Sequence, residues 1–80
     1  MKITEYFLDR RQRSDHQNIQ MEWIEYAAQH PVKRERQPDG RIRVWAKIEA
    51  AEGRYLRVIL LQDGETVHNA FFDRRFKENV

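Results

Sequence analysis

The chain has 80 residues, a formal charge of only +2, a sequence pI of about 9.2 and no cysteine. A chain this short is expected to form a single domain over residues 1–80, to bury about 60–65% of its unfolded surface and to be stable by on the order of 5–8 kcal/mol. With no thiol there is neither a disulfide framework nor a thiolate metal site, no apolar run reaches the ~18 residues of a membrane helix, and the early charges of MKITEYFLDRRQR do not fit a signal peptide, so a cytoplasmic setting is expected.

The first element reads as a short helix over about 5–12 capped by Thr4, although KITEYF also fits a strand. Residues 13–18, RSDHQN, read as a turn. Residues 19–29, IQMEWIEYAAQ, put Ile19, Met21, Trp23, Ile24, Ala27 and Ala28 on a broad apolar arc, with Glu22, Glu25 and Gln29 opposite. That pattern is an amphipathic helix, with Asn18 as cap. Pro31 disfavours helical geometry at His30 and ends it. A charged edge strand is expected over 32–37.

After Asp39-Gly40, residues 41–49 alternate Ile42, Val44, Ala46 and Ile48 with Arg41, Arg43, Trp45 and Lys47, the pattern of a half-buried strand. Glu52-Gly53 marks a turn. Residues 54–62, RYLRVILLQ, are β-branched and apolar, so they form a more central strand. Asp63-Gly64 matches a two-residue turn that needs positive φ, and 66–72 is the returning strand. The sum is an α+β fold, two N-terminal helices packed on a three- to four-stranded antiparallel sheet, with Trp23 largely buried.

Register decides which side chains meet. A two-residue Asp63-Gly64 hairpin pairs Leu60 with Val67, Val58 with Asn69 and Leu56 with Phe71. Arg57 and His68 are then diagonal neighbours on the opposite face, beside Tyr55, Ala70 and Phe72. For the earlier hairpin an odd loop length is preferred, because it gathers Ile42, Val44, Ala46 and Ile48 with Leu56, Val58 and Leu60 on one apolar face. The other face then collects Arg41, Arg43, Trp45, Lys47 and Arg57.

That face carries the candidate chemistry. Eleven of the fifteen basic residues are arginine, whose planar fork matches phosphates and carboxylates and packs on aromatic rings. Arg41, Arg43, Trp45, Lys47, Tyr55 and Arg57, with Arg74 and Arg75 at the edge, form the expected nucleic-acid or anion site. His68 is the candidate proton-transfer group, with Arg57 lowering its pKa and holding a phosphate. Cations on the phosphorane and stacking on Trp45 and Tyr55 complete what metal-independent RNA cleavage needs. A histidine inside a strand is more often structural, however, and Asp73 more often caps a final turn while Arg74 and Arg75 sit in solvent. His16, His30 and His68 lack ligand spacing, and there is no glycine-rich phosphate loop or nucleophile motif, so neither metal nor cofactor is expected.

The series WIE…QPDGRIRVWAKI…RYLRVILLQDGETVHNAFFDRRF, roughly residues 19–76, resembles a group of small bacterial proteins of unknown function, most specifically over 63–76. At the level of fold the chain is similar to the RelE/ParE and BrnT toxins, which use the sheet and the C-terminal end for chemistry or target contact. No diagnostic catalytic motif of those toxins is present. Three readings follow. The preferred one is a non-enzymatic module that binds RNA or an acidic protein through the basic face, since catalytic constellations are usually more complete than this. The others are a toxin-like ribonuclease using His68 and arginines, and the partner protein of a toxin–antitoxin-like pair with no site on the sheet.

Overall fold

Thr4 starts the first helix: its Oγ1 accepts the Phe7 backbone N–H at 3.1 Å, satisfying one of the N–H groups a helix leaves open. The computed structural model describes residues 2–12 and 19–78. Helix α1 is Glu5–Arg11, and Phe7 is its one buried residue. Both readings of KITEYF hold in part. Ile3 bridges Val67 in parallel, with Thr4 N donating to Val67 O at 3.0 Å and Val67 N to Lys2 O at 2.8 Å, and the chain turns helical two residues later. The expected turn over 13–18 and the Asn18 cap lie outside the described residues.

Helix α2 is Met21–Gln29, and Gln20 stands at its N-cap without a side-chain hydrogen bond. The buried line is Ile24 and Ala27. Trp23, expected to be largely buried, is half-buried: it lies to one side of that line and meets the Phe72 ring edge-on at 6.1 Å.

Four strands follow, β1 (Lys33–Arg36), β2 (Ile42–Ile48), β3 (Arg54–Leu60) and β4 (Val67–Phe72), in the spatial order β1-β2-β3-β4 and antiparallel throughout. The charged KRER strand is the edge, as its lack of apolar residues requires. Between β2 and β3 the chain makes a 3₁₀ turn, Glu49–Ala51, and then takes left-handed geometry at Glu52 (φ 62°) and Gly53 (φ 73°). This odd connection sets Val44 opposite Val58 and Ala46 opposite Leu56, the register that aligns the apolar faces. Ile42, Val44, Ala46, Ile48, Leu56, Val58 and Leu60 join Phe7, Ile19, Ile24 and Ala27 in one buried cluster. Helix α2 contacts β2 and β3, and α1 contacts β4. Among the described residues no helix is long and apolar enough to cross a membrane.

The last hairpin departs from expectation in two ways. Only Gly64 (φ 70°) has positive φ at its tip, and Leu61 N donates to Thr66 O across residues 62–65, a four-residue connection rather than a two-residue turn. The Asp63 carboxylate organises it, accepting from the backbone of Glu65 and Thr66 at 2.9 Å each and from the Thr66 hydroxyl at 2.6 Å. These bonds to the charged form hold the Asp63 pKa down to about 2.

The second departure changes the site. Leu60 pairs with Val67 as expected, but a bulge follows, and Ile59 pairs with Asn69, Val58 with Ala70, Arg57 with Phe71 and Leu56 with Phe72. His68 is the extra residue, and every position after it is displaced by one. The displacement buries Ala70 in the core and packs Phe72 against it, while Phe71 takes the face shared with Arg57. The expected Val58–Asn69 and Leu56–Phe71 pairs do not form.

Candidate nucleic-acid interface

Strand β3 is covered on both sides. On the face away from the helices, Trp45 is only 5% exposed and Ile59 8%. Trp45 was expected to be an open stacking surface. Instead the segment after β4 folds back across it, and Phe76 lies parallel to the indole at 4.9 Å, with an interplanar angle of 15°. Tyr55 meets the same Phe76 ring at 5.0 Å.

Asp73 fastens this segment. Its Oδ2 accepts the Trp45 Nε1–H at 3.0 Å and lies 3.8 Å from Arg57 Nη1, while its Oδ1 accepts the backbone N–H of Arg75 at 3.0 Å. The backbone N–H of Asp73 donates to Tyr55 O at 2.9 Å. The indole hydrogen bond, more than the Arg57 charge, holds the Asp73 carboxyl below its ordinary range against the opposing effect of burial.

Around the indole stand three cations. The Lys33 ammonium lies 5.7 Å from the ring centre, and the guanidinium carbons of Arg43 and Arg57 at 5.6 and 5.5 Å. Cation–π contacts of this kind are worth about 0.5–2 kcal/mol each, more where water is excluded. Arg57 also spans to Phe71 at 5.3 Å, and its buried Nε has no hydrogen-bond partner among the described residues.

The sequence-predicted cations therefore differ in availability. Arg43 is bound through Nε and Nη2 to Glu35, and Lys33 is 3.7 Å from the same carboxylate. Arg41 is 3.8 Å from Asp39 and Lys47 3.7 Å from Glu49, both exposed pairs that water screens. Arg57 is held by Asp73. Arg74 and Arg75 are exposed on the turn that Asp73 organises and, among the described residues, make no ion pair. Tyr55 is half-buried, its hydroxyl bonded to Glu78, which raises its pKa.

His68 does not join them. The bulge sets it against the N-terminal segment, with Nδ1 3.3 Å from Thr4 Oγ1 and the ring stacked on Tyr6 at 4.7 Å. Arg57, its expected neighbour, pairs with Phe71 three residues further along β4. Thr4 Oγ1 also accepts from Phe7 N, so this hydroxyl ties the His68 ring to the start of α1, and the direction of its bond to Nδ1 follows the tautomer of the ring. The pKa of His68 is below its ordinary value, as expected, but the cause differs: burial comes first and the Arg41 charge second.

The sign of the linkage follows. The folded state favours the neutral ring, so the unfolded state binds more protons near neutrality. Stability contributed by His68 is complete above the unfolded pKa of about 6.5 and is lost as pH falls through that value toward the lower folded one. Wild-type protein should therefore lose more stability between pH 7.5 and 5.5 than His68→Gln does, because the Asp63 and Asp73 carboxyls titrate well below that window. Denaturant midpoints for both proteins at the two pH values measure it, and equal losses would remove His68 as the titrating group.

Sequence reasoning missed Asp73 and Phe76 as parts of this layer. Among the described residues no three side chains of metal-ligating type gather. No family model matches the chain, and neither a curated protein nor a solved structure matches it.

Proposed function

We propose that the protein is a non-enzymatic module that binds single-stranded RNA through the basic, aromatic face of its sheet and the adjoining C-terminal turn. The supporting observation is the layer around Trp45, where Lys33, Arg43 and Arg57 surround one indole while Tyr55, Phe71 and Phe76 interleave with them. Cations meet a phosphate backbone, and partly exposed rings offer stacking to bases without sequence preference. An acidic protein segment offers charge but no bases to stack, so these rings favour RNA.

Binding is preferred to cleavage for a geometric reason. Cleavage by His68 needs a cation beside the ring to hold the phosphate; the bulge sets the expected one, Arg57, against Phe71 and Asp73, and Arg41 acts on the ring only as a charge secondary to burial.

The test is fluorescence anisotropy of a labelled single-stranded RNA between 50 and 200 mM salt. The logarithm of the affinity should fall linearly with that of salt concentration, by a slope of about −0.7 per phosphate contacted. Lys47→Gln and Arg75→Gln should each weaken binding while leaving stability within about 0.5 kcal/mol, as for surface changes generally. Salt-independent binding, or none, counts against the reading. RNA cut by the wild type and spared by His68→Gln would restore the enzymatic one.

A further inference from the structure

At the C-terminal corner of the sheet a cleft of about 260 Å³ opens between Arg54, Tyr55, Phe72, Asp73, Arg74 and Phe76. Its walls are three aromatic rings and its rim holds two guanidinium groups. Arg54 is fixed in place: its guanidinium carbon sits 4.1 Å from the centre of the Phe72 ring, and its Nε donates to the Ala51 carbonyl at 3.0 Å. Arg74 stands exposed on the Asp73 turn. Among the described residues neither arginine forms an ion pair.

We infer that this cleft binds one nucleotide, with the base against the aromatic walls and the phosphate between Arg54 and Arg74. The inference rests on the RNA-binding reading only for choosing a nucleotide among aromatic anions. Size supports a single unit, since sites for drug-sized ligands run from about 300 Å³ upward. Charge supports an anion. The one carboxylate lining the cleft, Asp73, is already committed to the Trp45 N–H and to Arg57, so Arg54 and Arg74 are left uncompensated. Glu78, which accepts from the Tyr55 hydroxyl, is not part of the cleft lining. The chemistry of the two parts matches as well: a guanidinium fork binds phosphate oxygens in pairs, and a ring wall accepts any base by its π-face.

The experiment is a titration of the isotope-labelled full chain with adenosine 5′-monophosphate, followed by NMR, with inorganic phosphate and adenosine as the two part-ligands. Saturable shifts at Arg54, Phe72, Arg74 and Phe76 are expected with the nucleotide, and weaker ones with either part. Arg54→Gln and Arg74→Gln should each lower the nucleotide affinity on the order of tenfold, as loss of a charge-assisted phosphate contact does. Arg36→Gln, on the edge strand β1 at the far side of the sheet, should leave it unchanged. No saturable shift at millimolar nucleotide overturns the inference, as does equal affinity in both arginine variants. Phosphate binding as tightly as the nucleotide also overturns it, since the rings then contribute nothing. A labelled oligonucleotide measured in parallel decides the broader reading separately. RNA bound with equal affinity by the wild type and both arginine variants leaves the module reading standing and removes the cleft from it. Nucleotide bound where RNA is not keeps the cleft and removes the RNA reading.

Discussion

Trp45→Ala should remove about 3–5 kcal/mol, the usual cost of truncating a buried Trp or Phe. A domain of this size has only about 5–8 kcal/mol in total, so the variant should sit at the edge of unfolding. The indole is only 5% exposed although it lies on the charged face. Its removal leaves Phe76 without a stacking partner, Asp73 without its N–H donor and three cations over a void. Trp45→Phe separates the two contributions. It keeps a six-membered ring, leaves a smaller void than alanine does, and deletes the hydrogen bond to Asp73, worth about 1–3 kcal/mol as a bond to a charged group. Because that bond is the main cause of the depressed Asp73 pKa, its contribution is present above the ordinary carboxyl value of 3.8 and fades as pH falls below it. The penalty of Trp45→Phe should shrink accordingly in acid. Urea melts of the two variants near neutral pH, and of Trp45→Phe also near pH 3, measure this. A Trp45→Ala cost under about 1 kcal/mol would mean that the C-terminal segment does not pack on the indole.

The layer around Trp45 also shows where sequence reading stops. The alternation in RIRVWAKIE and the apolar run in RYLRVIL carry their own period, so both strands were legible, and their mutual register followed from aligning two apolar faces. Thr4 as cap was legible because its chemistry is local. The bulge at His68 was not, because a strand over 66–72 keeps a strict period of two unless an extra residue interrupts it. One signal was present: Val67 and Ala70, both fully buried, stand three apart with His68 and Asn69 between them, and no unbroken alternation puts both in one core. That single residue moved His68 from Arg57 to Thr4 and exchanged the faces of Phe71 and Phe72. The return of Asp73 to Trp45 joins residues 28 apart in sequence, and no local pattern announces it. The basic face was thus read correctly as a composition and incorrectly as an open surface.

Phe7→Ala should be as costly as Trp45→Ala, about 3–5 kcal/mol if the fold yields as one unit, but its failure should be local. Helix α1 has seven residues and a single buried side chain, fully covered in the native state. An isolated helix that short does not persist in water, so the docking of Phe7 is what keeps α1 formed. When α1 lifts, Lys2–Thr4 loses the anchor that holds it on Val67, and His68 loses Thr4 and Tyr6. The cost then stops growing at the free energy of undocking, because β2 and β3 keep their own core with Ile24 and Ala27. Hydrogen exchange should show amides 2–11 and Val67 losing protection while those of β2 and β3 keep theirs. The His68 pKa should rise toward its ordinary value, since burial is the main cause of its depression. Equal loss of protection in α1 and in the β2–β3 pair would show one cooperative unit instead, and an unchanged His68 titration alongside lost α1 protection would mean that the ring is buried by something other than this helix.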